Sequence, residues 1–217
     1  MSAHEYWLTQ SILSDWLYCV DRDDRAELIR RLMRLRKEST TAMQRGLDFE
    51  ALVTKWASSR GVPAGIAERP EAEIDAIRKF GNLCRGGVDQ VPLTGTLTAG
   101  GMSFRLYGIA DYVKAGRIFD IKRVSRYEYG KYQFSPQHPM YFYLLPEAFR
   151  FDYLIFDGSR WYIESYRRGD FKPIEQIAGE FVRYLRDSGT METYMEHWAM
   201  NDERMEKING IYCKKAR

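Results

Sequence analysis

Cysteine is scarce in this chain. Cys19, Cys84 and Cys213 are the only three in 217 residues, and they lie far apart. No Cys-x-x-Cys pair occurs, so spacing supports neither a disulfide framework nor a structural zinc site. Histidine is as sparse: His4, His138 and His197 show no ligand spacing. There is no apolar run of about 18 residues, the length a membrane span needs. The opening MSAHEYWLTQSILSDW lacks a basic stretch followed by an apolar one, so it does not read as a signal peptide and the expected compartment is the cytoplasm. Strong charge of one sign is missing as well. A net charge of +3 gives only a weak pull toward an anionic partner. A phosphate-cradling GxxxxGK[ST] loop is absent, which excludes a helicase motor in this stretch of chain.

What is present is ordinary for a globular protein: 45% hydrophobic and 29% charged residues. The length suits one domain, or one with an elaboration, and residues 1–217 are expected to form a single one. Its first part, 1–85, reads as helical. Ile12, Leu13, Trp16 and Leu17 fall at helical spacing after a cap at Thr9 or Ser11. DDRAELIRRLMRLRKE, from about Asp23 to Lys37, has acidic residues first and basic residues last, as the helix dipole favours. Further helices are expected over Thr41–Arg60, stopped by Gly61 and Pro63, and over Glu71–Leu83. From Val88 to Val124 the texture turns to strands broken at Gly100-Gly101 and Ala115-Gly116. SPQHPMYFYLL reads as a helix entered at Ser135 and Pro136, or at Pro139. FDYLIF and RWYIESY read as strands around Asp157-Gly158-Ser159. Helices are expected again over Pro173–Leu185 and Met191–Met205. The fold class is therefore α/β (α+β): a mixed central sheet flanked by helices, with the sheet and one helix in 86–168, a helical N-terminal elaboration, and C-terminal helices in 169–217.

One stretch carries unusual chemistry. In GIADYVKAGRIFDIKRV, alternation puts Asp120 and Lys122 on one face of the second strand, and Asp111 on a face of the first with Ile109 and Val113. A two-residue turn at Ala115-Gly116 pairs Lys114 with Arg117, and so sets Asp111 opposite Asp120. Like charges facing each other destabilise a hairpin. A divalent cation between them reverses that sign, and hard oxygen ligands favour Mg²⁺ or Mn²⁺. Two carboxylates and a lysine at one edge suit metal-assisted hydrolysis. An acidic-x-Lys tripeptide alone is common, and Asp170-Phe171-Lys172 supplies a second one, expected to be a solvated loop.

The wider pattern resembles the PD-(D/E)XK nuclease superfamily, and within it the RecB-like branch with its phage and CRISPR-associated exonucleases. GIADYV looks like the Gly-x-x-Asp motif and FDIKRV like the Asp/Glu-x-Lys motif. QHPMY resembles the branch's Gln-x-x-x-Tyr, RGLDFEALV its helical Gly-x-x-x-His/Glu segment, and SILSDWLYC its opening Ser-x-x-Leu…Cys segment. The resemblance implies a restriction-endonuclease-like core. It implies Asp111, Asp120, Glu50 and the carbonyl of Ile121 as metal ligands, Lys122 as catalytic lysine, and Gln137 and Tyr141 lining the site. Arg123 and Arg126, beside the hairpin, are candidate phosphate contacts. Some branch members bind an iron–sulfur cluster through four cysteines. Cys19 matches the upstream position but only Cys213 follows the core, so no cluster is expected.

The sequence thus points to a Mg²⁺- or Mn²⁺-dependent DNA nuclease, more specifically an exonuclease of recombination, repair or phage DNA processing in a bacterial or phage-infected cell. Expected partners are DNA, a second copy of the chain, and a single-strand-annealing or recombination protein; a membrane is not among them. Two alternatives stand beside it: a binding module that kept the fold without cutting, and a restriction-type endonuclease. The latter needs a sequence-reading element, and no helix-turn-helix or zinc finger is evident.

Overall fold

The computed structural model describes residues 5–35, 39–59 and 62–200. Its elements run β1 (Glu5–Thr9), α1 (Gln10–Asp21), α2 (Arg25–Leu32), α3 (Thr41–Ser58), α4 (Glu71–Cys84), β2 (Val88–Ala99), β3 (Met102–Lys114), β4 (Arg117–Arg123), α5 (Gln137–Leu144), β5 (Arg150–Phe156), β6 (Trp161–Tyr166), α6 (Ile174–Asp187) and α7 (Met191–Trp198). The strands form a six-stranded mixed sheet in the order β1-β3-β4-β5-β6, with β2 pairing β3 off that path. The mixed α/β class expected from the sequence is what is observed. The chain divides into two compact units: residues to Leu35 with Thr94–Tyr107 and Ile174 onward, and Arg36–Leu93 with Gly108–Pro173.

In the first unit β1 runs parallel to the start of β3, from Glu5↔Ser103 to Thr9↔Tyr107. The sequence reading missed this strand. Thr9 both ends β1 and caps α1, its Oγ1 accepting from the Ile12 N–H, so no turn marks the change. α2 is shorter than expected and begins after Asp24, which accepts from the Glu27 N–H. It ends before Arg34, which takes φ +57°; Arg36 and Lys37 lie outside the described residues. Trp16 packs on Phe181 with ring centroids 5.4 Å apart. The buried Tyr194 hydroxyl donates to the Trp7 carbonyl at 2.6 Å. α7 stops at Trp198, before the expected Met205, because Ala199 is extended and Met200 N bonds Glu5 O; residues past 200 lie outside the description.

The second unit builds a layer on each face of the β4–β5 pair. Phe49, Leu52 and Val53 of α3 and Ile77 and Phe80 of α4 pack with Tyr112, Phe119, Ile121, Leu154 and Phe156. Tyr141 and Phe142 of α5 pack with Ala110, Ile118, Phe151, Tyr153 and Ile155. β4 and β5 pair in parallel from Arg117↔Arg150 to Arg123↔Phe156, and β5 turns back antiparallel to β6. Strands buried on both faces lose the polar alternation of a one-sided sheet, and β5 is buried at six consecutive residues, Phe151–Phe156. α3 starts at its Thr40 cap and ends at Ser58, since Ser59 is already extended; Arg60 and Gly61 are not described. α5 opens at Gln137, between the two starts expected at Pro136 and Pro139, with Pro136 at the cap and Ser135 Oγ accepting from the Gln137 N–H at 3.2 Å.

Candidate active site

The hairpin carries the register read from the sequence. β3 and β4 pair antiparallel through Lys114↔Arg117, Val113↔Ile118 and Tyr112↔Phe119. Ala115 and Gly116 take φ +48° and +72°, the two positive values a tight primed turn requires. Ala pays a steric cost there of about 1–2 kcal/mol. One step beyond Tyr112↔Phe119, the Ile121 N–H donates to Asp111 Oδ2 at 2.7 Å. The Asp111 side chain thus ties β3 to β4 where the paired register of the two strands ends.

Asp120 is buried, at 4% exposure. Gln137 Nε2, from the first residue of α5, donates to Asp120 Oδ1. Lys122 Nζ lies 2.8 Å from Asp120 Oδ2. The contact is an ion pair between a buried carboxylate and a partly exposed ammonium. Burial pulls the Lys122 ammonium down, but Asp120 and Asp111 outweigh it and raise its pKa, so it stays charged at neutral pH. Asp111 goes the other way: burial, then Asp120 and Glu50, hold its carboxyl well above the usual range, against Lys122 and the Ile121 N–H.

Glu50 comes from α3, where its Oε1 accepts from Gln90 Nε2 at 2.9 Å. Gln90 sits in β2 with φ +50°, a left-handed residue inside a strand. Tyr141, one turn along α5 from Gln137, is buried and donates its hydroxyl to the Ile109 carbonyl at 2.7 Å. A Cβ on Gly108 would stand 2.4 Å from Tyr141 Cε1 and 3.0 Å from its hydroxyl. The glycine of Gly-x-x-Asp therefore clears room for the tyrosine of Gln-x-x-x-Tyr, and that tyrosine holds β3 two residues before Asp111.

The two arginines differ. Arg123 is turned inward, 4.0 Å from Glu73 and over the Phe156 ring at 5.9 Å. Arg126 is 83% exposed and pairs with Glu128 at 2.7 Å. Asp170, of the second acidic-x-Lys, accepts from the Arg167 N–H at 2.7 Å in a tight turn, and Phe171 stacks on Phe142. That tripeptide is part of a loop anchored by an aromatic. His138 is fully buried, stacked on Tyr166 and bonded to the Tyr153 hydroxyl at 3.1 Å. Burial pushes its pKa down to about 3, so it is a neutral core residue. Cys19 and Cys84 are buried free thiols; Cys213 lies outside the described residues.

Sequence reasoning missed Gln90 and Tyr132. Gln90 is forty residues from Glu50 and shares no periodicity with it. Tyr132 stacks on Tyr153 with centroids 4.3 Å apart. Burial pushes its phenol up to about 12; Lys122 opposes this, while Asp120 and Glu164 add to it.

Asp111, Asp120, Glu50 and Lys122 together bring three carboxylates against one ammonium. Among the described residues, no group of three or more His, Cys, Asp or Glu side chains forms a ready-made metal cage. The donor set still fits a hard cation: its ligating atoms are all oxygens, and carboxyl groups outnumber the ammonium.

No family model matches the chain, and no curated protein matches it. The crystal structure of SSO0001 is similar at 12% identity and a TM-score of 0.47, spanning 84% of this chain and 78% of that one. No helix among the described residues is long and apolar enough to cross a membrane.

Proposed function

We propose that the chain is a metal-dependent DNA nuclease of PD-(D/E)XK type, cutting phosphodiester bonds at the β3–β4 hairpin. The observation that carries this reading is the cluster at the hairpin: buried Asp120, its Oδ2 2.8 Å from the Lys122 ammonium, with Asp111 and Glu50 acting on one another at the same place. Mg²⁺ or Mn²⁺ would be held by Asp111, Asp120, Glu50 and the Ile121 carbonyl. The chemistry such an ion supplies is charge neutralisation at a phosphoryl oxygen and acidification of water.

The chain's own groups do the rest. Gln137 engages Asp120 Oδ1 and Lys122 its Oδ2, so the two side chains together orient this carboxylate. Tyr141 fixes the strand bearing Asp111 through the Ile109 carbonyl. Gln90 orients Glu50. Lys122, kept as an ammonium by the two aspartates, orients the attacking water and faces the charge that develops on the phosphate. Its raised pKa makes it an electrostatic group and not a base.

The test is digestion of end-labelled linear DNA, single- and double-stranded, and of closed circular DNA, with Mg²⁺, Mn²⁺ or EDTA. Metal-dependent loss of linear DNA with circles intact supports an exonuclease, and cut circles the endonuclease alternative. The alternative is a DNA-binding module on the same fold that does not cut. Binding without cleavage under every metal condition would select it.

A further inference from the structure

We propose that the loop 125–135 is a base-stacking platform that receives an unpaired DNA strand beside the hairpin. This rests on the nuclease reading for its DNA, and the loop's placement follows from connectivity. It leaves β4 just after Lys122 and Arg123, and returns to α5 just before Gln137.

SRYEYGKYQFS holds four aromatics, two turned in and two turned out. The Tyr127 hydroxyl and the Tyr132 N–H, the latter at 3.1 Å, both donate to Glu164, a carboxylate at 3% exposure. The Tyr127 ring lies on Tyr162 with centroids 4.7 Å apart, and Tyr132 stacks on Tyr153. Three successive turn bonds fix the backbone: Lys131 N to Glu128 O at 3.1 Å, Gln133 N to Gly130 O at 3.0 Å, and Ser135 N to Tyr132 O at 2.9 Å.

On that pinned frame Tyr129 is 91% exposed and Phe134 82%. These are the two most exposed large hydrophobic side chains among the described residues. A loop held this firmly does not leave two rings in water for want of a place to fold them. Arg126, Glu128, Tyr129, Gly130 and Lys131 line a surface depression of about 410 Å³, where Arg126 pairs with Glu128 at 2.7 Å and the two cations outnumber the one carboxylate. Aromatic faces interleaved with cations suit unpaired bases, each of which offers a π-face whatever its sequence. In a duplex those faces are already stacked on one another, so the rings distinguish single strands from double. The cations, and the phosphodiester chemistry assigned next door, favour nucleic acid over an apolar protein partner.

The test uses fluorescence anisotropy with a labelled single-stranded oligonucleotide and a duplex of equal length. Lys122→Ala serves as the non-cutting parent, and Tyr129→Ala/Phe134→Ala is added to it. The expected result is tighter binding of the single strand by the parent. The double substitution should weaken that binding at least about tenfold, with duplex binding and thermal unfolding unchanged. Equal weakening for both DNAs, no change for either, or no measurable single-strand binding by the parent would overturn the proposal. Because binding is read without cleavage, the two readings fail separately. A wild type that cuts nothing but loses single-strand affinity in the loop variant keeps the platform. A wild type that cuts while the loop variant binds like its parent loses only the platform.

Discussion

Asp111→Asn should stabilise the metal-free protein and lose to wild type once Mg²⁺ is added. In the folded chain Asp111 is opposed by burial, then by Asp120 and Glu50, and only partly relieved by Lys122 and the Ile121 N–H. Asparagine keeps an oxygen for that N–H and drops the charge. Removing such a functional-site conflict gains about 0.5–2 kcal/mol. In a chain of 217 residues, each kcal/mol moves Tm by about 2–4 °C. A rise of about 1–8 °C in EDTA is therefore expected. The pH dependence has a definite sign. The folded carboxyl titrates above its ordinary 3.8, so its contribution to stability is intact below that pH and is lost as pH rises through the folded value. The gap between variant and wild type should be absent in acid and open toward neutrality. Mg²⁺ at about 100 times its Kd then adds about 2.7 kcal/mol to wild type alone, and the ranking inverts. Thermal unfolding by circular dichroism, in EDTA and across a Mg²⁺ titration, reads both effects. A variant less stable than wild type in EDTA, or an equal response to Mg²⁺ in both proteins, would refute the reasoning.

Gly108→Ala should destabilise the fold by about 1–3 kcal/mol, because the new methyl meets the Tyr141 ring at 2.4 Å. Urea unfolding reads the cost, and cleavage should fall further than stability alone explains if Tyr141 positions Asp111's strand. His138 makes a separate acid prediction. Its pKa drops from 6.5 to about 3 on burial, so stability present above pH 6.5 is lost as pH falls toward 3. At about 1.36 kcal/mol per pH unit the full loss is about 5 kcal/mol, with about 2 kcal/mol gone between pH 7 and pH 5. Urea midpoints across that range should fall more steeply for wild type than for His138→Phe.

The hairpin was legible because alternation assigns faces and a two-residue turn sets register. Asp111 was expected opposite Asp120, and the pairing of Lys114 with Arg117 holds even though Ala115 is a poor residue for the turn. Strand β1 was not legible: EYWLT passes into α1 through Thr9 with no breaker between them. The length of α2 was overread because its charge gradient continues past Met33, while the chain turns at Arg34. The Glu50–Gln90 hydrogen bond and the fit of Tyr141 against Gly108 are tertiary. Each joins residues more than thirty apart, and nothing local in the sequence records them. The inward turn of Arg123 was hidden for the same reason, since Glu73 and Phe156 reach it only through the fold.

The most direct test of the central claim is the single-turnover cleavage rate of linear DNA in saturating Mg²⁺. It should be measured for wild type, Asp120→Asn and Lys122→Ala after thermal unfolding has shown all three folded. The account predicts metal-dependent cleavage by wild type and loss of at least about a hundredfold in each variant, the scale of one electrostatic group at a reacting phosphate. Cleavage that survives in both folded variants would contradict it and move the chemistry away from the β3–β4 hairpin.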